Sequence, residues 1–139
     1  EKIGEEIKQL LRDNIQHFWY DEHTPNYYER TYEYINSLKC SKAKLVNGMW
    51  QVEIYFDTDL ILPHDRQDGG WTSHKSITDG QDFSEAIPYF IEYGNNSSLY
   101  RYEGAYPVKR TKEDIMEMDL LRKRMIQFLG QKGYIVGIG

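Results

Sequence analysis

The chain has 139 residues, 40% of them hydrophobic, and a formal net charge of −5, which suits one domain that buries a core without cross-links. Its single cysteine excludes an internal disulfide scaffold, and no apolar run approaches the length of about 20 residues that spans a bilayer. The acidic balance argues against a sequence-reading nucleic-acid binder, because phosphate contacts need clustered Lys and Arg. We therefore predict one soluble domain over residues 1–139, with no membrane partner.

Tyrosine is unusually frequent, with 12 Tyr beside 3 Trp. A tyrosine combines a large apolar ring with a hydroxyl group, and it is enriched where one side packs and the other stays wet. The excess is typical either of a contact surface or of the edge of a small core, and both interpretations stay open at this stage.

The N-terminal segment predicts an amphipathic helix that ends near Trp19. Its apolar residues recur at helical spacing between charged ones; they are Ile3, Ile7, Leu10, Leu11, Ile15 and Phe18. Thr24 followed by Pro25 is typical of a helix N-cap with proline in the first turn. A second helix is therefore predicted from there through Leu38.

Asn47-Gly48 is the sharpest local signal, because this dipeptide accepts positive φ at both central positions of a two-residue hairpin turn. The alternation after it predicts one half-buried strand, with Trp50, Val52, Ile54 and Phe56 on the buried face. Ile61 and Leu62 suggest a short third strand. The sequence therefore predicts a small antiparallel sheet in the middle of the chain.

The second half predicts a long loop and two helices. Glycine, aspartate and serine are concentrated over residues 63–82, which predicts a long loop that is either mobile or a contact arm. A short helix is predicted over residues 84–93, with Ser84 as its cap and Gly94 as its stop. The last helix is predicted from a cap at Thr111 to Gly130, and Tyr134 begins a possible final strand. The predicted fold class is α+β: an antiparallel hairpin or small sheet packed against an N-terminal helix, a second helix and a long C-terminal helix.

Ligand chemistry is confined to one stretch of the long loop, where His64, Asp65, Asp68 and His74 follow Asp57 and Asp59. A metal site needs several converging donors, and the spacing here matches no known ligand pattern. A solvated loop is the favoured interpretation, with a metal-dependent nuclease as the minor alternative. Cys40 lacks a visible base and is interpreted as a small apolar filler. No catalytic residue, metal or cofactor is predicted.

Residues 24–38 resemble a motif of the small tail-component and neck proteins of long-tailed bacteriophages, which carry Pro-x-x-Tyr-x-Arg-Thr, then a hydrophobic position, then Ser. The matching residues are Pro25, Tyr28, Arg30, Thr31 and Ser37. Tyr34 stands where leucine is more usual. The order of elements is also similar, with a leading helix, a hairpin after the motif and a closing helix after Pro107 and Arg110.

The resemblance implies a structural protein of the neck, the head–tail connector or the completed tail, without catalytic residues or cofactor. Such proteins form homo-oligomeric rings, hexameric or dodecameric, through which DNA passes without sequence-specific binding. The neighbours would be connector, portal-side or tail-tube proteins, and the location would be the virion neck or tail, reached through the host cytoplasm during assembly. The first helix and the loop at 63–82 are the expected subunit contacts.

Individual roles follow for several residues of the predicted interface. Arg30 is expected to bind a carboxylate or a backbone carbonyl at the helix start, and Tyr28 is expected to pack against the hairpin at Trp50 or Val52. Trp50 and Trp71 are further interface candidates. Packing at the edge of the core is the alternative for the motif, and a small phage-encoded module that binds or inhibits a host protein is the alternative function.

Overall fold

A computed structural model describes residues 1–23, 31–63, 81–96 and 101–134. Within these segments the chain has helices at both ends and short antiparallel strand pairs between them, so the predicted α+β class is confirmed. The predicted roles of Pro25, Tyr28, Arg30 and Trp71 fall on residues outside the described segments. The same holds for the loop residues 64–80, which include the His64 to His74 cluster, and for the end of the predicted final strand.

The first helix agrees with its prediction. Helix α1 comprises Lys2–Ile15 and continues as one wider, π-helical turn over Gln16–Tyr20, where the N–H of Asp21 donates to the Gln16 carbonyl at 2.9 Å. Leu11 and Ile15 are buried in the core. The opposite side of α1 is polar and exposed, so this helix already covers its apolar stripe within the subunit.

Within residues 31–38, the described part of the predicted second helix, only one helical turn is present. Helix α2 comprises only Glu33–Asn36 and follows Tyr32, whose φ of 57° is left-handed. Leu38 belongs to strand β1 (Leu38–Cys40), which pairs antiparallel with strand β4 (Ile54–Phe56). The prediction of a helix through Leu38 is wrong because pairing with a distant strand overrides the local helical pattern.

The predicted hairpin turn is confirmed. Strands β2 (Lys44–Val46) and β3 (Met49–Gln51) pair across Asn47 and Gly48, whose φ angles are 50° and 78°. The predicted continuous strand from Trp50 to Phe56 is interrupted, however, because Cys40 pairs with Ile54 whereas Lys44 pairs with Gln51. Residues 41–43 therefore oppose residues 52–53, and the extra residue makes a β-bulge that bends the hairpin.

The bulge is held by two hydrogen bonds between the strands. The backbone N–H of Ser41 donates to the Glu53 carbonyl at 2.8 Å, and the Ser41 hydroxyl accepts the Glu53 N–H at 2.9 Å. Beyond β4 the predicted third strand is wrong. A 3₁₀ turn, Thr58–Leu60, is followed by buried Ile61, whose N–H donates to the Thr58 carbonyl instead of to a neighbouring strand.

The short helix agrees with its prediction in extent but not in its cap. A 3₁₀ turn, Ser84–Ala86, leads into helix α3 (Ile87–Tyr93), and Gly94 ends it with a φ of 86°. The side chain that satisfies the helix start is Asp82, whose Oδ1 accepts the Ser84 N–H at 2.8 Å. Strands β5 (Gly94–Asn96) and β6 (Arg101–Glu103) pair antiparallel after α3.

The predicted long C-terminal helix is two helices. Helix α4 comprises Pro107–Glu117, helix α5 comprises Leu120–Gln131, and Asp119 breaks them with a left-handed φ of 47°. Thr111 is therefore not a cap but a buried residue inside α4, where its hydroxyl donates to the Pro107 carbonyl at 2.8 Å. The helix begins five residues earlier than predicted, with Tyr106 instead of Thr111 at the N-cap position, because Pro107 suits the first turn.

A buried acid joins α3 to the start of α4. The carboxylate of Glu92, only 7% exposed, accepts the backbone N–H groups of Val108 at 2.8 Å and of Lys109 at 3.0 Å. These donors belong to a helix N-terminus, where they lack partners within the helix and where negative charge is favoured. Glu92 therefore caps α4 from a different helix.

Replacing Glu92 by alanine should lower the free energy of unfolding by about 1–3 kcal/mol, because two part-buried N–H groups at the start of α4 lose a charged acceptor. The measurement is urea denaturation followed by circular dichroism. Glu85→Ala, at an exposed position of the preceding turn, is the matched control and should change the free energy by no more than about 0.5 kcal/mol. Equal midpoints for the two variants would contradict the capping role.

Gly104 and Gly130 provide a second matched pair. A Cβ on Gly104 would lie 2.8 Å from the Tyr93 Cα, whereas a Cβ on Gly130 would meet nothing within 4 Å. We expect Gly104→Ala to lose about 1–3 kcal/mol through overpacking, and Gly130→Ala to be neutral or stabilising by up to about 1 kcal/mol through helix propensity. Thermal unfolding of both variants tests this. An unchanged melting temperature for Gly104→Ala would show that the residue after β6 can move away from α3 without loss of stability.

Candidate assembly surfaces

The end of the β2–β3 hairpin carries large apolar side chains into solvent. Leu45, Val46, Met49 and Trp50 form this hairpin tip, and Trp50 is 73% exposed, Met49 62% and Leu45 60%. The predicted half-buried position of Trp50 is wrong, because all six residues of the two strands are exposed. Leu45 pairs with Trp50 and Val46 pairs with Met49, so the tip is apolar on both faces of the ribbon. Exposed apolar surface of this kind is typical of a protein–protein contact site.

The hairpin tip projects from a firmly packed base. At the bulge, α1 approaches so closely that a Cβ on Gly4 would lie 2.9 Å from the Cys40 sulfur and 2.6 Å from the Val52 Cγ1. The Glu1 carboxylate also accepts the Ala43 N–H at 3.2 Å. The base is thus fixed to the N-terminal helix, and the tip is presented on a paired, bulged ribbon instead of on an irregular loop.

A second surface is a groove of about 520 Å³ between α3 and α4. We call it the tyrosine groove after Tyr89, Tyr93 and Tyr106, which line it together with Phe56 and Met116. Lys109, Lys112 and Glu113 also line it, so its wall is partly charged. The Tyr89 and Tyr93 rings lie 4.8 Å apart, and the Tyr106 ring meets Tyr93 edge-on at 6.4 Å. The sequence signal for this groove is the spacing of Tyr89 and Tyr93, four residues apart and beside the buried stripe of α3.

Helix α5 contributes a third apolar surface. None of its twelve residues is buried, and Leu121, Met125 and Leu129 are all exposed. Two contacts between α5 and α1 involve charged groups: Arg124 forms an ion pair with Glu6 at 2.7 Å, and the Lys2 ammonium lies 5.8 Å from the centre of the Phe128 ring. Among the described helices, none combines the length and apolarity needed to cross a bilayer.

Buried polar contacts hold α4 against α1. The Asn14 side-chain amide donates to the Thr111 hydroxyl at 3.0 Å and to Asp114 Oδ2 at 2.8 Å. The Arg110 guanidinium lies 3.9 Å from the centre of the Phe18 ring, and its Nε donates to the Ala105 carbonyl at 3.0 Å. These directional contacts fix the wall of the tyrosine groove that α4 supplies.

The described part of the predicted phage motif has a structural role. Ser37 is fully buried, its hydroxyl donates to the Tyr34 carbonyl at 2.7 Å, and its carbonyl accepts the Asp57 N–H at 2.8 Å. It therefore ends α2 and starts the pairing of β1 with β4. Tyr34, at the position where leucine is usual, is buried and stacks on Phe56 at 4.8 Å, and burial raises the pKa of its hydroxyl. Thr31 is exposed.

The titratable residues of the described segments do not cluster as a metal site would require, since no three His, Cys, Asp or Glu side chains come together there. His17 lies beside Phe18 on the surface, and His23 Nδ1 is 3.0 Å from the Trp19 carbonyl. Burial, and then the negative charge of Glu5, raise the pKa of the Cys40 thiol. A protonated thiol is a poor nucleophile, so the interpretation of Cys40 as a filler is favoured.

Alkylation tests the state of Cys40. At a fixed pH near 8, iodoacetamide should react more slowly with the folded protein than with the urea-unfolded chain, because the raised pKa leaves less thiolate in the folded state. Glu5→Gln removes the nearby negative charge and should therefore lower the thiol pKa and speed alkylation. Glu53→Gln, at an exposed position, is the control and should leave the rate unchanged. Rapid alkylation of the native protein would identify a reactive cysteine instead.

Comparison with known proteins gives a family and no closer relative. No curated protein and no solved structure matches the chain. The family model YomN matches residues 1–131, so the match ends with the last residue of α5. The match supports a phage-associated protein and names no part of the phage particle. Because it extends over most of the 139 residues, the chain belongs to the YomN family.

Proposed function

We propose that this protein is a structural component of a tailed bacteriophage that assembles with copies of itself into a ring at the neck, the head–tail connector or the completed tail. The observation that carries the proposal is the hairpin tip, which holds four large apolar side chains in solvent on a well-anchored β-ribbon. Exposing this much apolar surface is unfavourable in an isolated soluble subunit, and a neighbouring subunit would remove it from water. The phage association of the family supports the same setting.

A ring requires unlike surfaces on one subunit. A closed ring forms through heterologous contacts, in which a patch on one copy meets a different patch on the next. The chain offers unlike apolar patches on a β-ribbon, between two helices and along α5. Their aromatic and methionine content matches the residue types enriched at interfaces. Among the described residues, these surfaces differ from the first helix, which was one contact expected from sequence; the other, the loop at 63–82, lies mostly outside the described residues and stays a prediction.

The overall charge suits a passage for DNA. With a net charge of −5, the chain repels phosphate on average, and a lining of Lys and Arg would bind the genome instead of letting it slide. The two alternatives have less support. A module that inhibits a host protein would use the hairpin tip equally well, but it would not need several unlike apolar surfaces. A nuclease would depend on Asp68 and His74, which lie outside the described segments.

Trp50→Ala tests the role of the hairpin tip. We expect this variant to fold normally, because Trp50 is 73% exposed, and to weaken self-association by about 30-fold, as the loss of a central interface tryptophan typically does. Light scattering and negative-stain electron microscopy of the purified protein would measure assembly. Tyr55→Ala is the matched control, since Tyr55 is also an exposed aromatic residue but lies in β4, beyond the bulge.

Two results would contradict the proposed function. The first is a protein that stays monomeric in solution and is also undetectable by immunolabelling on particles of the phage that encodes it. The second is cleavage of DNA that depends on Mg²⁺ or Zn²⁺ and disappears in Asp68→Ala and His74→Ala. A stable complex of one copy with one host protein, without rings, would favour the inhibitor.

A further inference from the structure

We propose that the hairpin tips of two copies of this chain join edge to edge, with β3 of one subunit pairing antiparallel to β2 of the next. This inference rests on the proposed function and specifies the contact between ring subunits. Three features of the ribbon support it: its open edges, its two apolar faces and the unlike charges beside its two strands.

Both edges of the β2–β3 ribbon are open. Within the described segments these strands form a two-stranded sheet, in which each pairs only with the other. Val46 and Met49 flank the two-residue turn and are therefore the hydrogen-bonded pair beside it. Since hydrogen-bonded and non-hydrogen-bonded pairs alternate along a hairpin, Leu45 and Trp50 direct their backbone N–H and C=O groups away from the ribbon. Such groups are the natural complement of another strand edge.

The open edges lack most of the features that usually prevent pairing. Proteins protect an edge with proline, with charged side chains, with a bulge or with short strands. Residues 44–51 contain no proline and a single charged residue, Lys44, and the bulge lies at the base of the ribbon, outside this span. Each strand has only three residues, so one contact is small. An isolated two-stranded hairpin is marginally stable in water, and added strands stabilise it.

Apolar side chains project from both faces of the ribbon, which favours pairing at its edges. Leu45 and Trp50 share one face, and Val46 and Met49 share the other. A ribbon that lay flat on a partner would cover one face and leave the other in water. Pairing edge to edge places side chains of the neighbouring strand beside those of the ribbon on both faces. Trp50 of one copy would then meet Leu45 of the next, as the two residues pair within one hairpin.

The charges beside the two strands favour the pairing of unlike edges. Lys42 and Lys44 are exposed on the β2 side, and Glu53 is an exposed acid that follows β3. In the antiparallel register that sets Trp50 opposite Leu45, Glu53 of one copy lies opposite Lys42 of the next. Pairing β2 with β2 would instead bring the lysines of both copies together, with no acid on either strand, and neighbouring like charges are destabilising.

Such a contact is heterologous, because each copy uses its β3 edge on one side and its β2 edge on the other. For strands that run along the axis of a ring, rotation keeps every β2 in one direction and every β3 in the opposite one, so each contact between copies is antiparallel. Repetition of one such contact generates a ring when the rotation closes. The tyrosine groove and the face of α5 are not used and stay available to a different protein.

Disulfide formation between single-cysteine chains tests this pairing. In a Cys40→Ala background, Lys44→Cys and Gln51→Cys, both at exposed positions, are placed in separate chains that are co-expressed and then oxidised. We expect a disulfide-linked pair of unlike chains, because residues 44 and 51 would lie directly opposite across the contact and a disulfide requires Cα atoms about 4.4–6.8 Å apart. Met125→Cys, 53% exposed on α5, replaces Gln51→Cys in the control and should give no such pair. Circular dichroism of each variant checks that it folds.

Other products would overturn the inference. Disulfides between two Lys44→Cys chains alone would show that two β2 edges pair symmetrically, and disulfides between two Gln51→Cys chains alone would show the same for β3. An equal yield with Met125→Cys would show contact without the proposed register. Rings seen by electron microscopy that give no 44–51 disulfide would remove this contact and leave the proposed function standing. A protein that forms no disulfide and is absent from phage particles would remove both.

Discussion

The arrangement of the C-terminal half depends on one buried carboxylate. Glu92 binds the first free N–H groups of α4, at Val108 and Lys109, while its backbone carbonyl accepts the Tyr106 N–H at 3.2 Å. The N-terminal N–H groups of a helix have no partner within it, and burying them without an acceptor is costly. The acid therefore sets both where α4 begins and how it lies against α3. The tyrosine groove is the space that this arrangement leaves between the two helices.

Polar side chains connect the elements of the fold by hydrogen bonds, whereas several large apolar side chains are exposed to solvent. Asn14 joins α1 to α4, and Arg12 joins α1 to the end of α2 by donating to the Ile35 carbonyl at 3.0 Å. Leu45, Met49 and Trp50 meanwhile stay in solvent. A subunit whose internal contacts are fixed in this way loses little conformational freedom when a neighbour covers its apolar surfaces. This distribution suits a building block better than a domain that works alone.

Membership of the YomN family and the resemblance of residues 24–38 both associate the chain with bacteriophages. In the described part of that motif, Ser37 and Tyr34 are buried where α2 passes into β1, and Thr31 is exposed. In these residues the motif shapes a turn between elements. The side chains proposed to contact other subunits lie on the hairpin. None of them belongs to the motif. The motif resemblance and the exposed apolar surfaces are therefore independent arguments for the proposed assembly role.

Sequence signals that depend on a few neighbouring residues were sufficient to predict the local structure. Asn47-Gly48 determined the hairpin, Gly94 determined the end of α3, and the apolar spacing of α1 determined its length, because each depends on local backbone preference or on one helical face. Tertiary structure decided the rest. Leu38 entered a strand because Phe56 was there to pair with it, and Thr111 became an interior residue because Pro107 and the distant Glu92 start α4 earlier. Trp50 has a strand pattern that suits a buried face, but no described element covers it. Which side of a strand is buried depends on what packs against it, and that partner lies far away in the chain or on another subunit.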